Sequence, residues 1–258
     1  MLNPKEKCAV FLDIDGTLLV DSFIIPQKNI DAINAARAKG HMVFINTGRS
    51  WGNIPPVLME QIEKFDGIVA GSGAMVTIGG ETVFKEKMTD DVIKRLFEYI
   101  MTHREYWAIF EGLRDVYVLP NDIRKSADYQ ILLEESEDYI KMLSDEIQVV
   151  AMGVEVPEDF IENFRDEITV FQFKTYADCV IKGLNKAVGI EKVLEYTGIK
   201  RENTIAIGDS NNDYDMLTYA GVGVAMANSQ QSILDIADYV TASNADCGVA
   251  KAIEKFLL

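Results

Sequence analysis

No apolar run in this 258-residue chain approaches the roughly 20 residues that a helix needs to cross a bilayer, so a membrane span is not expected. The polar, mixed-charge start Met1-Leu2-Asn3-Pro4-Lys5-Glu6-Lys7, followed by a short apolar stretch, does not read as a secretory signal. Cysteine is scarce: Cys8, Cys179 and Cys247 are odd in number and far apart, so neither a disulfide framework nor a cysteine-based metal site follows. A reducing, cytoplasmic location is the expectation. Cations are in deficit, with 25 Lys and Arg against 41 Asp and Glu and a formal net charge of −16. That balance argues against nucleic acid, whose phosphate backbone demands basic stripes. The acidity serves solubility first. It still admits a phosphorylated small molecule, because a few local cations and a metal ion can reverse the field within one cleft. Repeats and low-complexity segments are also missing. What is present is enough apolar material, 48% of residues, and enough length for a full core plus an insertion.

The first third alternates strand and helix. Cys8-Ala9-Val10-Phe11-Leu12 is a continuous apolar run, the pattern of a strand buried on both faces. From Pro26 to Lys39, the residues Ile30, Ile33, Ala36 and Arg37 recur at helical spacing, and Gly40 stops the helix. Residues 41–46 read as a second buried strand. A helical stretch interrupted by Pro55-Pro56 leads to a third strand at 67–70. This is the rhythm of a parallel sheet. A hairpin over 74–84, turning at Gly79-Gly80, then breaks it.

Beyond the hairpin, Thr89 can cap a helix carrying Val92, Leu96, Phe97 and Ile100. Strand-like pieces follow at 106–110, 116–119, 148–152 and 169–173, with a short helix opened by Pro157 between the last two. Residues 83–183 therefore read as a separate α+β unit inserted into a core made of 1–82 and 184–258. From Asn185 the alternation returns: helix 186–196, strand 204–207, a helix through Met216-Leu217, strand 223–226, helix 230–236, strand 239–241 and helix 249–256. The two halves of the core should close into one sheet of about six parallel strands.

Asp13-Ile14-Asp15-Gly16-Thr17-Leu18 follows the first strand. Two carboxylates two residues apart stand where the strand ends, and a glycine lets the chain turn. Open α/β sheets bind ligands outside the carboxyl ends of their strands, so the pair is placed for chemistry. Alone, an Asp-x-Asp-Gly equally suits a calcium loop or an Asx turn. Three more polar clusters sit at strand ends or helix starts: Thr47-Gly48, Lys182 or Lys186, and Gly208-Asp209-Ser210-Asn211-Asn212-Asp213. Each has a bland reading. Thr47 suits an N-cap, Lys186 a solvated first-turn lysine, and Asp209 and Asp213 suit a cap and a first-turn acid.

Their joint placement matches what phosphoryl transfer requires. A carboxylate attacking a phosphate dianion meets like-charge repulsion, so both partners must be neutralised. A hard cation such as Mg²⁺, held by oxygen ligands, does part of this. Asp13, Asp209 and the backbone carbonyl of Asp15 can supply those oxygens. A lysine, a Thr hydroxyl and nearby N–H groups can hold the remaining phosphate oxygens, and a second carboxylate can protonate the leaving oxygen.

These motifs, in this order and along the whole chain, resemble the haloacid dehalogenase (HAD) superfamily of phosphotransferases. Asp13 to Leu18 is similar to its first motif and Thr47-Gly48-Arg49 to its second. Lys186 is similar to the third, and Gly208 to Asp213 with Met216-Leu217 and Ala220-Gly221 to the fourth. An α/β insertion between the second and third motifs is similar to the Cof-like subfamily IIB. The resemblance implies an α/β fold: a Rossmann-like parallel sheet core with helices on both faces, carrying an inserted α+β cap domain. It implies Asp13 as nucleophile, Asp15 as general acid and base, and Thr47, Gly48 and Lys186 as phosphate ligands, with Asn212 touching the phosphate or bracing the loop. Mg²⁺ would be held by Asp13, the Asp15 carbonyl and Asp209, with Asp213 in support. Lys186 is favoured over Lys182 because the subfamily's lysine opens the helix leading to the fourth motif.

Two segments depart from the subfamily pattern. Gly71-Ser72-Gly73-Ala74 stands for the usual Asn-Gly-Ala, and Asp246-Cys247-Gly248-Val249 for Asp-Gly-Val. The expected activity is Mg²⁺-dependent hydrolysis of a small phosphorylated metabolite, with a sugar phosphate first, by a monomer or small homo-oligomer. Arg49, Glu111, Lys125 and Lys182 are candidates for substrate recognition from polarity and position. The rival readings are a phosphomutase, which returns the group to the sugar, and a non-catalytic phospho-ligand sensor.

Overall fold

The computed structural model describes residues 2–21, 23–103, 105–119, 130–133, 136–153 and 155–258. They fall into two compact units. One comprises the chain up to Thr47, Pro55–Phe84 and Asn185–Leu258; the other comprises Gly48–Ile54 and Lys85–Leu184. The stretch Gly48–Ile54, read from sequence as part of the core, thus groups with the second unit. There Gly52 N–H donates to Gly112 O at 3.2 Å and Ser50 N–H to Glu111 Oε2 at 3.0 Å.

The first unit is built from β1 (Ala9–Leu12), α1 (Gln27–Ala38), β2 (Met42–Asn46), α2 (Pro56–Met59), β3 (Gly67–Ala70), β4 (Met75–Ile78) and β5 (Glu81–Lys85). Its sheet order is β14-β13-β12-β1-β2-β3-β4-β5, completed by strands from the far end of the chain, β12 (Thr204–Gly208), β13 (Val222–Ala225) and β14 (Tyr239–Val240). The pairs from β14 to β3 are all parallel, and β4 turns back antiparallel to β3. Gly79 and Gly80 make the following turn at φ 58° and 86°, a conformation that favours glycine at both positions. The expected helix after β2 is instead three short pieces, Trp51–Asn53, α2 and Ile62–Lys64. Pro55 and Pro56 cannot donate into a continuous helix.

The inserted part contains α3 (Asp90–Thr102), β6 (Ala108–Glu111), β7 (Val116–Val118), β8 (Gln130–Leu132), α4 (Ser136–Ser144), β9 (Val149–Gly153), α5 (Glu158–Phe164), β10 (Ile168–Gln172) and β11 (Tyr176–Ile181). Its sheet runs β10-β11-β9-β6-β7-β8, antiparallel except for β7 beside β8. Alternate residues of the strands, Ala108, Phe110, Val150, Met152, Ala177 and Cys179, pack with Leu96, Met142 and Phe160 of the three helices. β8, α4 and β11 are not apparent from the sequence pattern. Asp178 interrupts the apolar run of β11, and α4 buries little beyond Met142, so neither carries a strong periodic signal.

The remaining helices of the first unit are α6 (Lys186–Thr197), α7 (Tyr214–Tyr219), α8 (Gln231–Leu234) and α9 (Gly248–Leu257). Ile190 and Val193 of α6 and Met216 and Leu217 of α7 pack on one face of the sheet, against Ala9, Phe11, Phe44 and Ala206. Phe11 and Phe44 stack there at 5.2 Å. Because successive strand residues face opposite ways, Val10, Leu12, Val43 and Ile45 bury the other face, where α1 packs on β2 and on α9. Among the described residues, no helix is long and apolar enough to cross a membrane.

Candidate active site

Leu12 lies opposite both Ile45 and Ile207, so the carboxyl ends of β1, β2 and β12 align. β1 is the strand at which the order reverses, with β2 on one side and β12 on the other, and a crevice opens at such a point. Asp13 follows β1 directly, buried, with its N–H still paired to Ile207 O at 3.0 Å. The chain then turns, Leu18 and Leu19 both donating to Ile14 O at 3.0 Å, and leaves Asp15 exposed. Gly16 takes φ +84°, and a Cβ there would stand 2.4 Å from Asp209 Oδ2. Conformation and space both require glycine at this position. Next to it, the buried Thr17 donates its hydroxyl to Asp209 Oδ1 at 2.9 Å.

Lys186 is the first residue of α6, a helix capped by the Asn185 side chain, which accepts from Val188 N–H at 3.0 Å. It has no solvent exposure. Its Nζ lies 2.6 Å from Asp13 Oδ1 and 2.5 Å from Asp213 Oδ1. Asp213, also fully buried, turns its other oxygen to the N–H groups of Asp209 and Ser210, each at 2.9 Å. Ser210 and Asp213 form a reciprocal capping box around the turn 211–213. Asn212 is buried in the same loop, its Oδ1 accepting from Ser210 Oγ at 2.8 Å. Gly208 admits this arrangement, since a Cβ on it would approach Asp213 Cγ to 2.5 Å. One oxygen from each of Asp13, Asp209 and Asp213 falls within 4.8 Å of the others.

Thr47 is buried just after β2. Its N–H pairs with Val69 O at 2.9 Å and its carbonyl accepts from Ser72 N–H at 3.0 Å. Ser72, the residue that departs from the subfamily pattern, sits at φ 52° between Gly71 and Gly73 and braces this loop through its backbone. Gly48 and Arg49 belong to the second unit; Gly48 is buried, and half-buried Arg49 donates to Asn53 O at 3.3 Å. Glu111, at the end of β6, is buried in that unit and occupied with Ser50 N–H. Lys182 is exposed, its N–H on Glu167 O, and Lys125 lies outside the described residues. Of the two candidate lysines, Lys186 is the one brought onto Asp13. Two residues of the cluster escaped the sequence reading as individuals: Thr17, and Asn46, a polar residue closing an otherwise apolar strand.

Burial pushes the Asp13 carboxyl well above the usual range; the Lys186 ammonium pulls it back, while Asp213, Asp209 and Asp15 push it further up. Burial and the Asp213 charge raise Asp209 to about 7, against the Thr17 hydrogen bond and Lys186. For Lys186 burial works downward, but the two adjoining carboxylates hold the ammonium above its ordinary value. Glu111 is raised by burial, opposed by Ser50, Asn53 and Arg49. The Asp13 site therefore has more acid than its single ammonium can balance. Hard oxygen donors with surplus negative charge suit a small divalent cation.

The chain matches the family model of haloacid dehalogenase-like hydrolases over residues 10–253. It is 31% identical over 251 residues to the Bacillus subtilis 5-amino-6-(5-phospho-D-ribitylamino)uracil phosphatase YcsE, covering 96% of this chain and 95% of that protein. To the phosphatase of the same name YitU, also from Bacillus subtilis, it is 28% identical over 263 residues, with 96% of each covered. Among solved structures, a sugar phosphatase of HAD subclass IIB superposes with TM-score 0.81 at 27% identity, covering 97% of this chain and 99% of that one. A haloacid dehalogenase-like hydrolase from Bacteroides thetaiotaomicron gives TM-score 0.84 at 25% identity, with the same coverage. The parallel core thus has its counterpart in known enzymes, and the chain belongs to the haloacid dehalogenase-like hydrolases, as a phosphoric monoester hydrolase of the Cof-like branch.

Proposed function

We propose that this protein is a Mg²⁺-dependent phosphatase that hydrolyses a small phosphorylated metabolite, a sugar phosphate or sugar-alcohol phosphate, through an aspartyl-phosphate. The observation that carries the reading is the buried Lys186 ammonium shared between Asp13 and Asp213, with Asp209 beside them. Asp13 is the nucleophile: a carboxylate oxygen attacks phosphorus as the ester oxygen leaves. Asp15, exposed at the turn, gives that oxygen its proton. It then takes a proton from water, which attacks the aspartyl-phosphate, releases inorganic phosphate and restores Asp13. Lys186, Thr47, the Gly48 N–H and Asn212 bind the phosphoryl oxygens. Asp13, Asp209 and the Asp15 carbonyl would hold Mg²⁺, with Asp213 in support, and the ion would neutralise charge on the phosphoryl group. Asp213 keeps Lys186 charged and orients the Asp209 loop through its two N–H bonds.

The inserted unit is the part assigned to choosing the leaving group, with Arg49, Glu111, Lys125 and Lys182 as its candidates. The named activity of the two Bacillus subtilis relatives supports trying a phosphorylated ribityl compound first. Buried free thiols at Cys8 and Cys179 support a reducing cytoplasm, and the reading is of a monomer or small homo-oligomer acting on no nucleic acid or membrane. The test is phosphate release from sugar phosphates, phosphorylated ribityl compounds, nucleotides, pyridoxal phosphate and flavin mononucleotide. Wild type is expected to turn over with Mg²⁺ and stop with EDTA, and Asp13→Asn to lose activity while remaining folded. Near-normal turnover by Asp13→Asn removes the nucleophile assignment, and isomer instead of phosphate redirects the reading to a mutase.

A further inference from the structure

Asn46 closes β2 one residue before Thr47 and is fully buried. The rest of that strand, Met42-Val43-Phe44-Ile45, is apolar, so an amide at its buried end is an exception. Its Nδ2 donates to the backbone oxygen of Lys186 at 3.0 Å and reaches Met216 Sδ at 3.5 Å. Its Oδ1 has no hydrogen-bond partner among the described residues. Turning the amide over would set its oxygen against the Lys186 carbonyl oxygen, so Nδ2 must be the atom that faces α6 and donates. An unpaired buried acceptor destabilises a fold relative to an apolar side chain of the same shape. Packing therefore gives no reason for asparagine here.

The contacts of this amide converge on the phosphoryl site. Lys186 opens α6, Met216 sits on α7 just after the Asp209–Asp213 loop, and Thr47 is the next residue in the chain. A lysine ammonium on a four-carbon stem is only as well placed as the backbone that carries it. On another side the first turn of α6 is fixed by close approach: a Cβ on Gly73 would stand 2.4 Å from Asn185 O, and one on Gly189 2.2 Å from Val69 Cγ1. Asn46 supplies the polar hold from β2.

We propose that Asn46 is a positioning residue for phosphoryl binding. Its amide grips the Lys186 carbonyl and thereby sets the distance between the Lys186 ammonium, Asp13 and the Thr47 loop. The inference rests on the phosphatase reading above, in which Lys186 binds the phosphoryl group.

Asn46→Leu keeps the volume and removes the donor. It is expected to lower kcat/KM by roughly 10- to 100-fold, with a melting temperature no lower than that of wild type. Inorganic phosphate, titrated in the presence of Mg²⁺, should bind it more weakly. In a Lys186→Arg background the same substitution should change kcat/KM or phosphate affinity by less than about threefold, since residues acting as a unit are not additive. Asn46→Ala, which removes the donor and introduces no titratable group, is expected to follow Asn46→Leu in kcat/KM and phosphate affinity and serves if the leucine variant does not fold. A folded variant within about twofold of wild type, or an undiminished effect beside Lys186→Arg, overturns the positioning role and leaves the phosphatase reading intact. A wild type that neither releases phosphate from any ester nor binds inorganic phosphate overturns that reading and this inference with it.

Discussion

At the scale of one residue, Lys186 is a poor source of stability, which favours the functional reading of its cluster proposed above. Burying an ammonium between two carboxylates gives little net stability, because desolvation consumes most of the attraction. Burial, and after it the Asp213 charge, raises Asp209 from 3.8 to about 7. The folded protein then binds this proton more tightly than the unfolded chain does. Without metal, the stability contributed by protonated Asp209 is present at low pH and is lost as pH climbs from 3.8 through about 7. Ligation of Mg²⁺ requires the ionised form, so the proton competes with the metal. Asp13, raised by the same burial, adds a second competing proton, so below about pH 7 the apparent Mg²⁺ affinity should fall by about tenfold or more per pH unit. The Mg²⁺-induced rise in Tm, measured against EDTA at matched pH, is expected to be larger at about pH 8 than at about pH 6. Asp209→Asn should abolish both the rise and its pH dependence. A rise that is the same at both pH values contradicts the assignment.

Two helices of similar construction separate stability from function at the scale of elements. Thr89 caps α3, accepting from Val92 N–H at 3.3 Å, and Asn185 caps α6, accepting from Val188 N–H at 3.0 Å. Replacing either cap with alanine should cost about 1 kcal/mol in urea melts. Only Asn185→Ala should also lower kcat/KM, since the next residue is Lys186; equal kinetics for the two variants would show that the start of α6 tolerates displacement. Legibility in the sequence divides along similar lines. Parallel strands covered on both faces read as unbroken apolar runs, so β1, β2, β3 and β12 stand out, and their polar neighbours with them. Asp13, Thr47 and Asp209 are legible as candidate site residues for that reason. The choice between Lys182 and Lys186 needed the helix start, which periodicity locates only loosely. β8 is hidden because it has only three residues, α4 because it buries little beyond Met142, and β11 because Asp178 interrupts its apolar run. Asn46 and the grouping of Gly48–Ile54 with the second unit depend on contacts with Lys186 and with Gly112 and Glu111, far along the chain. No local pattern encodes those contacts.

At the scale of the whole molecule, the described residues form two sheets, each with a buried cluster against it, and the two should differ in how they respond to damage. Phe160 is fully buried in the second unit, its ring 5.1 Å from that of Tyr99 and 4.9 Å from that of Phe164. Phe160→Ala opens a cavity in one cluster and should cost about 3–5 kcal/mol there. It leaves Phe11, Phe44, Val193 and Leu217 of the first cluster untouched. If each cluster supports its own sheet, the loss will be read as sub-global opening confined to one unit. Native-state hydrogen exchange is the direct measurement. Amides of β6, β9 and β11 are expected to lose protection in the variant, while those of β1, β2 and β12 keep theirs. Mg²⁺ offers an internal control, because ligands that bind the Asp13 cluster should raise protection in β1 and β12 and leave the damaged sheet as open as before. A uniform fall in protection across both sheets would mean that the chain unfolds as one cooperative unit in spite of its two cores.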